Sequence, residues 1–115
     1  DGPDHLLVLE RSYVVGHGFG AQLYRMPTRI GADGASDTLA LPALAAQPLR
    51  VAPKQRVVQF AQLGLRSVDN LEALTWGPPL ADGRRVLIAV SDNNFNPAQV
   101  TQFGALVESP RSAPP

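Results

Sequence analysis

The chain lacks cysteine, has no excess of charge of either sign and contains no long apolar run. Without cysteine, a disulfide framework, a thiolate zinc site and a cysteine nucleophile are excluded. Ten basic and ten acidic residues give a formal net charge of zero, so we expect no charge-driven binding to nucleic acid or to an anionic membrane surface. No apolar run approaches the roughly 20 residues of a membrane-spanning helix, so we expect no transmembrane segment.

Proline and glycine are abundant, with 11 and 10 residues in a chain of 115. This density favours short strands and tight turns over long helices and predicts an all-β fold. The length is that of one small domain. The chain begins at Asp1 and not at methionine, so we expect a processed chain or a piece of a longer one.

Short apolar segments separated by turn residues are predicted as strands. They are His5–Glu10, Ala21–Met26, Gln55–Leu63, Leu71–Trp76, Val86–Val90 and Thr101–Val107. The first and fifth are apolar almost throughout, which is typical of strands buried on both faces. The first two form a predicted hairpin with a long glycine-rich connection. Residues 27–53 are expected to be a surface loop or insertion, and 109–115 a proline-rich tail.

An internal repeat with a spacing of about 80 residues relates the two halves of the chain. Leu6–Glu10 followed by Gln22 and Leu23 matches Leu87–Ser91 followed by Gln102 and Phe103. The repeat predicts two blade-like units, about 1–63 and 68–108, each part of a four-stranded antiparallel blade of a β-propeller. A propeller needs at least four blades, so this chain alone cannot close a ring. The alternative is a chance match between two β-hairpins.

Three segments in this order resemble a known family. They are Leu7–Tyr13, Asp69–Trp76, and Ser91–Phe95 with residues 101–103. They are similar to the C-terminal part of the phytase-like β-propeller family, described as having esterase-like activity of phytase. The resemblance covers residues 5 to about 107. The sequence departs from the family pattern at Ala73, where the family usually has glycine.

The resemblance implies a six-bladed propeller, of which this chain is roughly the last third. The expected partners are the remaining blades of the same parent chain and a small-molecule ester or phosphate-ester substrate. It also implies a bacterial protein located outside the cytoplasm, either periplasmic or secreted. An innermost strand of the first blade is expected before Asp1, and a closing strand of the last blade elsewhere in the parent.

Polar residues follow or precede two neighbouring predicted strands. Glu72 lies at the start of one strand and Asp92 directly after the next, and a turn over residues 78–82 brings those two ends together. Carboxylate and amide oxygens are the ligands that Ca²⁺ prefers, so the sequence predicts a possible calcium site here. The amide residues of the predicted set are Asn70, Asn93 and Asn94. The alternative is that these residues only cap strand ends and form Asx turns.

Glu10 ends the corresponding strand of the first unit and is a candidate general base or further ligand. The alternative, which we slightly favour, is an ion pair with Arg11. His5 and His17 lack the spacing of zinc ligands and have no visible serine partner, so a zinc site and a serine hydrolase are not expected.

Three hypotheses follow. The first is a fragment of a divalent-metal-dependent hydrolase of phosphate or carboxylic esters, with its site at the propeller channel. The second is a non-catalytic binding or scaffold module with a structural calcium site. The third is a self-contained small β-domain.

Overall fold

A computed structural model describes residues 2–29, 36, 41–43, 48–65 and 67–109. The fold is all-β and consists of two three-stranded antiparallel sheets, each ordered as in the sequence. The first sheet contains β1 (His5–Val14), β2 (Gly18–Pro27) and β3 (Gln55–Gln59); the second contains β4 (Leu71–Trp76), β5 (Val86–Ser91) and β6 (Phe103–Val107). Within the described ranges, no helix has the length and hydropathy needed to cross a bilayer.

The all-β prediction is confirmed, and the two sheets fit a fragment of propeller blades. The described residues supply three strands to each sheet, whereas a complete blade has four. The predicted insertion over 27–53 and the predicted tail over 109–115 lie largely outside the described residues, so their boundaries stay predictions.

The first hairpin is tighter than the sequence suggested. Its strands pair without interruption from His5 opposite Pro27 to Val14 opposite Gly18, so the predicted long connection is wrong. The turn takes only three residues and is closed by the backbone N–H of His17, which donates to Val14 at 2.9 Å. Gly16 and Gly18 both have a φ of +82°, a conformation that glycine adopts without steric cost. The glycines therefore shorten the connection instead of lengthening it.

The strand predicted over Gln55–Leu63 ends early. A short 3-10 helix, Phe60–Gln62, follows β3 and turns Phe60 into the core. In the second sheet, a β-bulge at Glu72 interrupts the register between Leu71 and Ala73. The bulge changes the direction of the Glu72 side chain relative to a regular strand.

The two sheets pack face to face over one small apolar core. The buried members are Ala21, Leu23, Phe60, Leu71, Leu87 and Ala89. Side chains alternate in direction along each strand, so only one face of each sheet contributes to this core. The prediction that the first and fifth predicted strands are buried on both faces is therefore wrong for the described residues: Leu6 is 51% exposed, and Ile88 is only partly buried.

Candidate functional site

Glu72 lies at the centre of a polar cluster where the two sheets meet. Its Oε1 accepts a hydrogen bond from Asn70 Nδ2 at 2.7 Å. The same oxygen lies 3.1 Å from Arg11 Nη1, which reaches across from β1. The Arg11 and Glu72 side chains are 50% and 35% exposed, so water screens this ion pair and its contribution to stability is small, about 0.2–1 kcal/mol. We call Arg11, Asn70 and Glu72 the polar cluster.

Asn70 is unusual because it is a buried polar side chain that is only half satisfied. The residue is 1% exposed, and its Oδ1 has no hydrogen-bond partner within the described residues. A buried acceptor without a donor costs about 1–3 kcal/mol. Such a group points to an unseen water molecule or cation. Nδ2 of the same amide donates to Glu72, so the unpartnered oxygen belongs to the side chain that holds the carboxylate in place.

Asp69 fixes the position of Asn70, and the sequence analysis gave it no role. Its Oδ1 accepts the backbone N–H of Asn70 at 2.8 Å, and its Oδ2 accepts that of Val100 at 2.8 Å. Ser91 supports the same loop, because its hydroxyl donates to the Val100 carbonyl at 2.7 Å. Both oxygens of the buried Asp69 carboxylate thus accept hydrogen bonds from backbone N–H groups, and these bonds hold the loop after β5 against the start of β4. The position of this aspartate directly before Asn70 was the sequence feature that could have indicated its role.

Asp92, Asn93 and Asn94 lie in that loop. The backbone N–H of Asp92 donates to the Asn70 carbonyl at 3.0 Å, so the two strand ends meet as the predicted turn requires. Asp92 Oδ1 accepts the N–H of Asn94 at 3.1 Å, and Asn93 Oδ1 accepts that of Phe95 at 3.2 Å. These are Asx-turn hydrogen bonds, which the structural alternative predicts. These turns use only one oxygen of the exposed Asp92 carboxylate, and its second oxygen takes part in neither of them.

Phe95 closes this loop in a strained conformation. It is fully exposed, and its φ is +55°, after a φ of +49° at Asn94. Positive φ is costly for a residue with a bulky side chain. Phe95 corresponds in the sequence repeat to Tyr13, each lying after the first strand of its matched pair. The Tyr13 ring does pack on Phe19, at 5.0 Å between centroids, whereas the exposure of Phe95 excludes such packing here.

Glu10 lies apart from the polar cluster. Successive residues of a strand point to opposite faces, so Arg11 faces the second sheet and Glu10 faces away from it. Glu10 forms its ion pair with Lys54, whose Nζ also lies 4.4 Å from the centre of the Tyr24 ring. The predicted ion pair between Glu10 and Arg11 is therefore wrong, and Arg11 is the residue that reaches Glu72. Side chains alternate in direction along a strand, so the sequence could have indicated that Glu10 and Arg11 face opposite sides of the sheet and bind different partners.

Two cavities flank the core. One, of about 550 Å³, is lined by Asp69 and Val100 together with His17 and Ser67, and no residue of the polar cluster lines it. No hydrogen bond joins His17 to Ser67 within the part of the chain that the structure describes. This volume is in the range of small-molecule sites.

The second cavity, of about 630 Å³, opens between the sheets at the other end. It is lined mainly by leucine and valine, with Trp76 and Arg85 at its margin. Arg85 lies 4.3 Å from the Trp76 ring and forms two hydrogen bonds with Glu108, at 3.0 and 2.9 Å. The hydrogen bonds with Glu108 raise the pKa of the Arg85 guanidinium. Arg85 and Glu108 thus pair with each other at the margin of this cavity.

Histidine, aspartate and glutamate side chains do not converge in groups of three or more that could hold a metal, as far as the described ranges extend. The polar cluster offers one carboxylate and one amide oxygen, and Asp92 lies on the adjoining loop. Glu72 and Asn70 are thus brought together, Asp92 is near through the backbone, and Glu10 is separate.

Comparison with known proteins gives one match. The family described as phytase-like, with esterase-like activity of phytase, matches residues 1–95. No curated protein and no solved structure matches the chain significantly. The match spans most of the 115 residues and includes β1 to β5 and the polar cluster. The chain therefore belongs to the phytase-like family.

Proposed function

We propose that this chain supplies the cation-binding part of a divalent-metal-dependent hydrolase of phosphate or carboxylic esters, with Ca²⁺ as the metal. The family description supports a hydrolase-type domain. The observation that carries the metal is the buried Asn70 Oδ1, which has no donor and belongs to the amide whose Nδ2 donates to the Glu72 carboxylate. A cation at this oxygen would remove the cost of leaving it unpartnered.

The residues fit Ca²⁺ by chemistry, although they supply only part of its shell. Glu72 and Asn70 offer hard oxygen donors, and Asp92 offers a further carboxylate on the adjoining loop. Calcium takes about six to eight oxygen ligands. In this proposal water molecules or residues of further blades complete the shell, while the Asx turns of Asp92 and Asn93 fix the loop that carries Asp92.

Arg11 gives the site a place for an anionic substrate. Its guanidinium neutralises Glu72 now and is half exposed. A cation on Glu72 would compete with this ion pair and free the guanidinium for a phosphate or carboxylate oxygen, which it binds well. When bound, Ca²⁺ supplies Lewis-acid polarisation of the ester oxygen or activation of water. In this proposal Arg11 orients the ester.

The test compares two glutamates that each pair with an arginine at similar exposure. The Glu72 and Glu108 side chains are 35% and 38% exposed. We expect hydrolysis of p-nitrophenyl phosphate or p-nitrophenyl acetate that requires Ca²⁺. Glu72→Gln should abolish the Ca²⁺-dependent turnover, and Asn70→Ala should raise the Ca²⁺ concentration needed for it. Glu108→Gln should behave like the wild type. Equal loss in Glu72→Gln and Glu108→Gln, or turnover indifferent to Ca²⁺, would contradict the proposal.

A second candidate is a non-catalytic module with a structural Ca²⁺ at the same residues. It is favoured by the Arg11–Glu72 ion pair, which links β1 to β4 and so joins the two sheets. Its signature is a melting temperature that rises with Ca²⁺, less so in Glu72→Gln, without hydrolysis of either ester. If Ca²⁺ changes neither melting nor turnover, both candidates fail.

A further inference from the structure

The turn between β4 and β5 contains the dipeptide Asp82–Gly83, whose chemistry the proposed function does not use. The backbone nitrogen of such a glycine can attack the Cγ of the preceding aspartate, because glycine has no Cβ to obstruct the approach. The N–H proton and the carboxyl hydroxyl leave as water, and a succinimide ring forms. Water then opens the ring at either carbonyl and gives aspartate again or isoaspartate. The dipeptide is therefore a candidate site of spontaneous covalent modification.

The folded turn opposes the first step of this reaction at the nucleophile. The backbone N–H of Gly83 donates to the Leu80 carbonyl at 2.9 Å, and that of Leu80 donates to the Arg84 carbonyl at 2.9 Å. The Gly83 nitrogen must give up its proton and approach the Asp82 side chain in order to attack it. Its hydrogen bond with Leu80 has to break for this, so the attack requires the turn to open.

Arg84 opposes the same step at the carboxyl group. Its backbone N–H donates to Asp82 Oδ1 at 3.1 Å, and its Nε donates to Oδ2 at 2.7 Å. One residue thus binds both oxygens of a side chain that is 53% exposed to water. The carboxyl group must be protonated before it can lose water, and hydrogen bonds to the charged form disfavour protonation. The backbone N–H and then the side chain of Arg84 accordingly lower the pKa of Asp82.

We propose that Asp82–Gly83 is a latent isoaspartate site, which Arg84 and the closed turn protect while the chain is folded. In isoaspartate the main chain runs through the side-chain carboxyl carbon, so residue 82 gains an additional backbone atom. The hydrogen bond from Leu80 to Arg84 would then lose its alignment, and so would the bond from Gly77 N–H to the Val86 carbonyl, 2.8 Å long. Modification after opening would therefore weaken the connection between β4 and β5.

The sequence supplies an internal reference for this reaction. Residues 32–35 read Ala-Asp-Gly-Ala, and residues 81–84 read Ala-Asp-Gly-Arg. Arg84→Ala therefore makes the two tetrapeptides identical. In denaturant the two sites of this variant have the same local sequence and should form isoaspartate at the same rate. A slower rate at Asp82 in native buffer than in denaturant then measures the protection that folding gives.

The experiment incubates the chain at mildly acidic pH, in native buffer and in urea, and measures isoaspartate at each dipeptide over time. Endoproteinase Asp-N cleaves before aspartate and not before isoaspartate, so mass spectrometry of the uncut peptides distinguishes Asp33 from Asp82. We expect both sites to react in urea and wild-type Asp82 to stay intact in buffer. Arg84→Ala should raise the rate at Asp82 in buffer by about two- to fivefold, the range expected for loss of an exposed ion pair. Arg56→Ala, in exposed β3, is the control and should match the wild type.

Circular dichroism verifies that each variant is folded, and Arg84→Gln replaces Arg84→Ala if the alanine variant misfolds. Arg84→Lys keeps the positive charge and should react more slowly than Arg84→Ala. If wild-type Asp82 forms isoaspartate as fast in buffer as in urea, the turn gives no protection and the proposal is wrong. Equal rates in buffer for the wild type and the uncharged Arg84 variants overturn the role of Arg84. Absence of isoaspartate at Asp82 in urea also overturns the proposal, because the dipeptide is then not reactive.

Discussion

Replacing Leu23 with alanine tests whether the stability of the fold resides in the contact between the two sheets. Leu23 is 2% exposed, belongs to the core and borders the cavity between the sheets. Buried leucine-to-alanine changes cost about 2–5 kcal/mol. Because the void would join an existing cavity, solvent can enter it, and we expect the lower half of this range, about 2–3 kcal/mol. Leu6→Ala is the matched control: at 51% exposure it should cost about 1 kcal/mol or less.

Urea unfolding followed by the fluorescence of Trp76, the only tryptophan, measures both variants. A slope of about 1–2 kcal/mol per molar urea converts the expected loss in Leu23→Ala into a midpoint shift of about 1–3 M. Equal and small losses in both variants would refute the assignment of Leu23 to the core.

Two further predictions concern turns. Hydrogen bonds from Arg84, first from its backbone N–H and then from its side chain, lower the pKa of Asp82 below its ordinary value of 3.8. The ionised carboxylate therefore stabilises the fold at pH values above 3.8. This stabilisation is lost as the pH falls through the lower pKa of the folded state. Melting temperatures of Asp82→Asn and wild type should therefore differ slightly near neutral pH and converge in strong acid; a difference that grows towards low pH would contradict this. At Phe95, glycine relieves the positive φ, worth about 1–2 kcal/mol, and costs about 0.5–1 kcal/mol in unfolded-state freedom. Urea unfolding should then show Phe95→Gly as stable as wild type or up to about 1.5 kcal/mol more stable. Phe95→Ala should stay near wild type, and a clear loss of stability in Phe95→Gly alone would show that the loop conformation is not strained.

Several elements could be predicted because the signal was local. The predicted strand Leu71–Trp76 matches β4, and Val86–Val90 is extended by only one residue in β5. Both are flanked by clear turn signals and have apolar sequences. The sequence repeat places similar residue types at nearly the same offsets in β1–β2 and in β5–β6, and each of these two pairs is a pair of neighbouring antiparallel strands in the structure.

The errors arose where the outcome depends on distant residues. Burial on both faces of β1 and β5 assumed neighbouring sheets on each side, and the described residues provide only one. Lys54 reaches Glu10 from far along the chain, which no local pattern shows. The burial of Asn70 depends on how the loop after β5 folds over the start of β4, so the sequence named the residue without its surroundings.

The opposite directions of Glu10 and Arg11 also protect the chain against mispairing during folding. A slip of β1 by one residue moves every side chain to the other face of its sheet. A slip in one direction would bring Glu10 to the Glu72 carboxylate, and a slip in the other direction would bring Arg11 to the Lys54 ammonium. Two neighbouring residues of opposite charge, each matched to a different face, therefore penalise a slip in either direction, while each native pair contributes little to stability.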